Sequence, residues 1–300
     1  MYTTNINIAV EKIFNNLLQQ HQIQLNVLRL DAVHPIVSGN KLFKLHYFFE
    51  TLLPHQSTTV ITFGGAYSNH LVATAYYCQQ KNLACIGYVR GEAASTLSHT
   101  LLQCKQYGMQ LIFLSRAAYA QKNEPDFIEK IISKYTHYLI IPEGGYHPLG
   151  AKGAALIMNS IDATATHICT AIGTATTIAG LLLKAAPTQQ IIGMPVLKNV
   201  QDVYERIAYL TNNIPIPNLF IAPQYHFGGY AKKNAALINF MNQLYATQQL
   251  PTDFVYTAKM MFGVFDLIEK NHFAPGSNIV CIHTGGLQGN ASLPKNTLTF

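Results

Sequence analysis

Two lysines, Lys41 and Lys44, open a helical pattern in His34-Pro35-Ile36-Val37-Ser38-Gly39-Asn40-Lys41-Leu42-Phe43-Lys44. Their spacing sets both on one face of a helix. A lysine that forms an imine with a carbonyl must first lose its proton, which a desolvated or cation-rich pocket favours. Lys44, one turn away, is expected to help lower the pKa of Lys41. Taken alone, the pattern is better matched by an exposed helix start with two solvated lysines.

Three further segments join an apolar run to a helical one through small residues and hydroxyls. In Phe63-Gly64-Gly65-Ala66-Tyr67-Ser68-Asn69-His70 the glycines let backbone approach a ligand, and the helix start attracts an anion. Ser68 stands either to cap that helix or to present its hydroxyl to a substrate. In Ile172-Gly173-Thr174-Ala175-Thr176-Thr177-Ile178-Ala179-Gly180 hydroxyls and free N–H groups can cradle a phosphate. The segment lacks the lysine of a P-loop and the GxGxxG spacing. That disfavours a nucleoside triphosphate or a dinucleotide and leaves room for a single phosphate monoester. A plain small-residue helix start fits equally well. In Ile282-His283-Thr284-Gly285-Gly286-Leu287 a hydroxyl and glycines follow the last apolar run. His283 reads first as a structural histidine.

The elements that must position these residues alternate along the chain. Short apolar runs predict strands at Thr59–Phe63, Ala84–Val89, Gln110–Leu114, Tyr138–Ile141, His167–Ile172, Ile191–Val196, Leu219–Ala222 and Ile279–His283. Helical periodicity predicts helices at Asn69–Lys81, Thr96–Tyr107, Asp126–Tyr135, Gly150–Ser160, Thr176–Ala185, Val200–Thr211, Lys232–Ala246 and Thr257–Lys270. This is an α/β pattern with mostly parallel sheets covered by helices. Right-handed crossovers put the strand-to-helix turns on one edge of each sheet, where ligands bind in open α/β folds.

Composition narrows the class. The 300 residues allow one large or two ordinary domains. Only 11% are charged, but 49% are hydrophobic, which excludes a disordered chain. The net charge of +6 comes from scattered basic residues with no stripe, so nucleic acid is not an expected partner. The five cysteines have no CxxC spacing, which argues against a disulfide framework or a metal site and for free thiols in a reducing compartment. The N-terminus has no signal-peptide pattern, and no apolar run is long enough to span a membrane, so a cytoplasmic protein is expected.

Seven motifs in order carry a resemblance to a known family. They are Ser38-Gly39-Asn40-Lys41 with Lys44; Gly64-Gly65 before Ser68-Asn69-His70; and Pro142-Glu143-Gly144-Gly145 with Gly150. Gly173–Thr177 with Ala179-Gly180 and Phe227-Gly228-Gly229-Tyr230 come next. Val255-Tyr256-Thr257 with Lys259 and His283-Thr284-Gly285-Gly286 complete the set. From about Arg29 to Gly289 the chain resembles the pyridoxal-phosphate enzymes that include D-cysteine desulfhydrase and 1-aminocyclopropane-1-carboxylate deaminase. The resemblance implies the tryptophan synthase β-like fold of type II pyridoxal-phosphate enzymes, with two three-layer αβα domains. Residues 1–44 plus 155–300 would form the larger domain and residues 45–154 the smaller, inserted one. It also implies a homodimer acting on a small amino acid.

The resemblance assigns roles to matching positions. Lys41 matches the lysine that carries pyridoxal phosphate as a Schiff base. Asn69 matches the residue bonded to the cofactor's phenolic oxygen, and Gly173, Thr174, Ala175, Thr176 and Thr177 match its phosphate loop. Lys44, Thr257 and Thr284 complete the expected cofactor contacts. Ser68 and Tyr256 match catalytic positions, and Ser68, Asn69, His70, Tyr230 and Tyr256 are expected around the substrate. The family often has two glycines where this chain has Ala175-Thr176.

Thr257 and Thr284 indicate the reaction. The ring-opening deaminases resemble one another in having Glu and Leu at these positions, and the desulfhydrases in having two threonines. A threonine hydroxyl leaves the pyridine nitrogen neutral, which suits loss of a good β leaving group such as thiolate. The expected reaction is α,β-elimination from D-cysteine or a related D-amino acid to pyruvate, ammonia and sulfide. The alternatives are 1-aminocyclopropane-1-carboxylate deamination and, in another class, a non-catalytic pyridoxal-phosphate or amino-acid binding protein.

Overall fold

The computed structural model describes residues 6–52, 58–198, 201–216 and 218–300. Strand β1 (Val10–Ile13) is followed by helix α1 (Asn16–Gln20), β2 (Gln24–Arg29) and α2 (Asn40–Glu50). The chain continues through β3 (Thr59–Gly64), α3 (Asn69–Gln80), β4 (Ala84–Arg90), α4 (His99–Gln106) and β5 (Met109–Leu114). Next come α5 (Arg116–Ala120), α6 (Pro125–Ile132), β6 (Tyr138–Ile141), α7 (Pro148–Ala155), β7 (His167–Ile172) and α8 (Thr176–Lys184). It ends with β8 (Gln190–Pro195), α9 (Val203–Leu210), β9 (Leu219–Ile221), α10 (Ala235–Gln248), α11 (Thr257–Glu269) and β10 (Asn278–His283).

These strands make two sheets. One has the order β5-β4-β3-β6, with every pair parallel. The other has the order β1-β2-β10-β7-β8-β9 and is parallel except for the β1–β2 pair. The expected mostly parallel α/β architecture is present. Because β10 lies between β2 and β7, residues from both ends of the chain meet at one sheet edge.

Tyr138–Ile141 and His167–Ile172 form as predicted, and the other predicted strands shift by about one residue at an end. Strands β1 and β2 are missing from the prediction. Their buried residues alternate with polar ones, as Leu25 and Val27 do with Gln24 and Asn26, so no apolar run marks them. Helix α4 begins later than expected because Ser98 accepts from Leu101 N–H and caps it. The predicted Gly150–Ser160 helix divides into α7 and a tighter 3-10 turn, Leu156–Ser160. Val200, where another helix is predicted to begin, lies outside the described residues, as do positions 1–5, 53–57, 199 and 217 of the expected domains.

Close helix contacts connect the two sheets. A Cβ on Gly153 would come within 2.1 Å of Phe43 O, and one on Gly180 within 2.5 Å of Ala151 O. Helix α7 is thus pressed against α2 on one side and α8 on the other. Phe43, Phe48, Ile141, Ile157 and Ile178 share the apolar core around them, each contributing about 1.5–3 kcal/mol by burial. All five cysteines are buried and free. No described helix is long and apolar enough to cross a membrane.

Candidate active site

Loops at the C-terminal ends of four parallel strands converge on one cleft. β3 leads to Asn69, β6 to Gly144, β7 to Gly173–Thr177 and β10 to Thr284–Gly286. Asn40, Lys41 and Lys44 from α2 and Tyr256 before α11 complete the wall. The cleft is open to solvent at its mouth.

Lys41 reaches the cleft because the loop before α2 is fastened to the end of β10. Gly39 has a φ of 75°, and a Cβ there would lie 2.0 Å from Thr284 O, so only glycine fits. Asn40 N–H donates to that same oxygen at 3.1 Å. Asn40 Nδ2 donates to Thr177 Oγ1 at 2.7 Å, which ties the start of α2 to the start of α8. Asn40 Oδ1 accepts from Lys41 Nζ at 2.7 Å.

Burial lowers the Lys41 amine to about 8, opposed by the Asp253 carboxylate. About a tenth of it is then uncharged at pH 7, against well under a thousandth for a solvated lysine. Lys44 Nζ donates to Gly144 O at 3.4 Å. Burial, and then the charge on Lys41, pushes Lys44 well below the ordinary lysine range. Desolvation is the larger cause for both lysines, and the repulsion between their charges is mutual.

The start of α8 forms a bare cradle. Ala175 precedes it with a φ of 65° and no side-chain cap, so the first N–H groups have no partner within the helix. Gly173, Thr174, Ala175 and Thr177 line the cleft. Thr176 is fully buried behind them, with its Oγ1 2.9 Å from that of Thr174. A Cβ on Gly173 would come within 3.1 Å of the Tyr256 ring, so glycine lets the ring sit against the loop.

The loop after β3 divides its expected roles. Asn69 lines the cleft, and its Oδ1 is buried without a protein partner. Such a group costs about 1–3 kcal/mol unless a ligand satisfies it. Ser68 is outside the cleft lining and caps α3, its Oγ accepting from Leu71 N–H at 3.4 Å. His70 corrects the expectation of a substrate contact. It is buried in the sheet interior with Nε2 2.9 Å from Thr62 Oγ1. Burial, helped by the charges of Lys41 and Lys44, lowers its pKa to about 3 and keeps it neutral.

Tyr256 lines the cleft, and Tyr230 stands outside the lining with its ring edge-on to Tyr256 at 6.1 Å. Burial and the neighbouring Tyr230 raise the Tyr256 hydroxyl well above its usual range, so it remains a proton donor. Thr284 lines the cleft; Thr257 does not. The Thr257 hydroxyl donates to Asp253 Oδ1 at 2.7 Å. The expected direct contact of Thr257 with a cofactor is therefore corrected: its hydrogen is committed elsewhere. His283 is structural, with Nδ1 3.1 Å from Asp31 Oδ1 and Nε2 2.8 Å from Pro251 O.

Asp253 and Asn40 are absent from the predicted site. Asp253 accepts from the N–H groups of Val255, Tyr256 and Thr257. Its position just before a predicted helix is the available signal. The role of Asn40 depends on Thr177, far along the chain, and has no local signature.

These residues fit pyridoxal phosphate. A buried amine with a lowered pKa, the Asn69 side-chain amide at the cleft wall, whose Nδ2 can donate to a ring oxygen, and a bare helix start are the groups that an aldehyde, a ring oxygen and a phosphate monoester require.

Comparison with known proteins agrees with that donor set. A Pyrococcus abyssi protein, provisionally named a 1-aminocyclopropane-1-carboxylate deaminase, is 26% identical over 287 residues, covering 89% of this chain and 86% of its own. A Yersinia pestis protein named D-cysteine desulfhydrase is 25% identical over 282 residues, covering 86% of each chain. The crystal structure of a protein described as an ACC deaminase homologue superposes with a TM-score of 0.79 at 23% identity. It covers 96% of this chain and 92% of that one, and shows the shared fold. The model of the pyridoxal-phosphate dependent enzymes matches residues 14–285, nearly the whole cleft-forming chain, and the protein belongs to that family.

Proposed function

We propose that this chain catalyses α,β-elimination from D-cysteine or a related D-amino acid, giving pyruvate, ammonia and sulfide. One observation carries the reading: among the described residues lining the cleft there is no carboxylate. Thr284 offers a hydroxyl there, and the nearby Asp253 carboxylate is committed to backbone N–H groups and Thr257. A ring nitrogen beside a hydroxyl stays neutral, which suits departure of a good leaving group such as thiolate.

Pyridoxal phosphate, when bound, supplies an electron sink conjugated to the substrate's Cα. Lys41 would carry it, and the same amine would be the base that accepts the Cα proton. The start of α8 with Thr174 and Thr177 would hold the phosphate, Asn69 the ring oxygen and Thr284 the ring nitrogen. Ser68 and Asn69 at the start of α3 orient the substrate carboxylate. Tyr256 holds its proton for donation toward the substrate. The net change is loss of the Cα proton and the β thiolate, followed by addition of water and release of ammonia.

The same reading includes a homodimer in a reducing cytoplasm, which the buried free thiols support. It divides the chain into a larger domain, 1–44 plus 155–300, and a smaller one, 45–154, that closes over the substrate.

The test is 2-oxo acid release by purified, pyridoxal-phosphate-loaded protein. Substrates are D-cysteine, L-cysteine, D-serine and 1-aminocyclopropane-1-carboxylate. Pyruvate and sulfide from D-cysteine support the proposal. A 2-oxo acid from the cyclopropane substrate alone refutes it in favour of deamination, the activity in the name of the Pyrococcus relative.

A further inference from the structure

One stripe of α11 grips a neighbouring segment that has no part in the cleft wall. Lys259, Gly263 and Asp266 follow one another at helical spacing on one face. A Cβ on Gly263 would come within 2.7 Å of the Tyr225 ring. Asp266 Oδ2 accepts from the Tyr225 hydroxyl at 2.6 Å. Lys259 is fully buried, and its Nζ donates to His226 O at 2.9 Å and Gly229 O at 2.7 Å.

Those two carbonyls bracket an unusual turn. Phe227, Gly228, Gly229 and Ala231 all have positive φ, with Phe227 at 52° and Ala231 at 54°. Such backbone is unfavourable for residues with a Cβ and persists only where its surroundings impose it. The turn carries Tyr230, whose ring stands edge-on to Tyr256. Tyr256 immediately precedes α11. One helix start therefore bears the first tyrosine and holds the loop of the second.

A buried ammonium is a costly way to fill this space. Burial lowers the Lys259 pKa to about 8, opposed by Asp253. Methionine has a similar length without that penalty, so the charge has its use in the two carbonyls.

We propose that Lys259 is a positioning residue for the amino-acid substrate: by holding the carbonyls of His226 and Gly229, it sets Tyr230 against Tyr256 at the mouth of the cleft. The inference rests on the proposed amino-acid reaction and on the expectation that Tyr230 as well as Tyr256 meets the substrate, and its test separates the two.

The test compares the loaded enzyme with its Lys259→Met variant. Gly229 N–H donates to His226 O and Lys232 N–H to Gly229 O. Both amides are expected to exchange with solvent about tenfold faster in the variant, with exchange in β7 and β10 unchanged. For whichever panel amino acid is turned over, KM should rise about tenfold while kcat stays within about threefold. In a Tyr230→Ala background the same substitution should change KM by less than about twofold. Unchanged exchange at Gly229 and Lys232, or a KM effect that persists in full beside Tyr230→Ala, overturns the proposal. If Lys259→Met does not fold, the unsubstituted enzyme decides. Exchange of both amides at open-loop rates overturns the proposal, and protection like that of the middle of α10 supports it. Failure to turn over any panel amino acid refutes the functional reading, while the exchange result still decides the grip.

Discussion

Asp253 and Thr257 are bonded to each other through both side chain and backbone. The Thr257 hydroxyl donates to Asp253 Oδ1 at 2.7 Å and accepts Asp253 N–H at 2.8 Å. The pair is fully buried and fastens the start of α11, on which Tyr256 depends.

Thr257→Val should therefore act on stability. It strands the Asp253 N–H and removes one bond from a buried carboxylate, for a loss of about 1–3 kcal/mol. Thr284→Val, at the cleft wall, should instead lower turnover while stability stays within about 1 kcal/mol. Denaturant unfolding and the substrate panel measure both. A shift of substrate preference in Thr257→Val at unchanged stability would contradict the structural role.

Lys41→Ala should abolish the absorbance at ~410–430 nm that a lysine-bound pyridoxal phosphate produces. Lys44→Ala should retain the band, because Lys44 donates to Gly144 O rather than sharing the attachment. Titration of each variant with the cofactor is the measurement. Persistence of the band in Lys41→Ala would assign attachment to another lysine.

Stability of the cofactor-free protein should rise with pH between about 7 and 9. Lys41 and Lys259 are lowered to about 8 in the folded chain from an ordinary 10.5. Over that interval the unfolded chain binds more protons, so ΔG of unfolding increases with pH. The limiting gain is about 1.4 kcal/mol per pH unit for each lysine. Above about 9 the raised thiols of Cys85, Cys104 and Cys281, and then the raised hydroxyls of Tyr88 and Tyr256, oppose and reverse the trend, because the same groups ionise first in the unfolded chain. Unfolding midpoints across the range check the sign, and a steady decline from pH 7 to 9 would contradict it.

Ala175→Gly should stabilise the chain by roughly 0.5–1 kcal/mol. Ala175 has a φ of 65°, a left-handed conformation that glycine adopts freely. The strain relieved exceeds the added freedom of the unfolded chain. Pyridoxal-phosphate affinity should stay within about threefold, since the cradle is built from backbone N–H groups. Melting and cofactor titration together test this, and a loss of stability would show that the Ala175 methyl packs more favourably than its backbone is strained.

Much of the site was legible in the chain because its loops are local objects. An apolar run, then glycines and hydroxyls, then a helical period marks a strand-to-helix turn wherever it occurs. The segments around Asn69, Gly173–Thr177 and Thr284 do reach one cleft edge. His70 looked like part of that edge but points inward, because its Nε2 finds Thr62 across the strand-to-helix turn. Strands β1 and β2 escaped notice because one face of each is polar. β1 pairs with β2, and the pairing of β2 with β10 depends on residues more than two hundred positions away.

The sequence by itself determined the α/β fold, the family resemblance and the lysine suited to carry the cofactor. Those features rest on residue type and short spacing, which survive any packing. Tertiary structure decided which polar groups are free. It left Thr284 at the cleft and bonded Thr257 to Asp253. It buried both Lys41 and Lys44, so that desolvation lowers each. It also buried Lys259 beneath the turn that holds Tyr230. Each outcome depends on desolvation and on partners brought together from distant parts of the chain, and neither is written in local spacing.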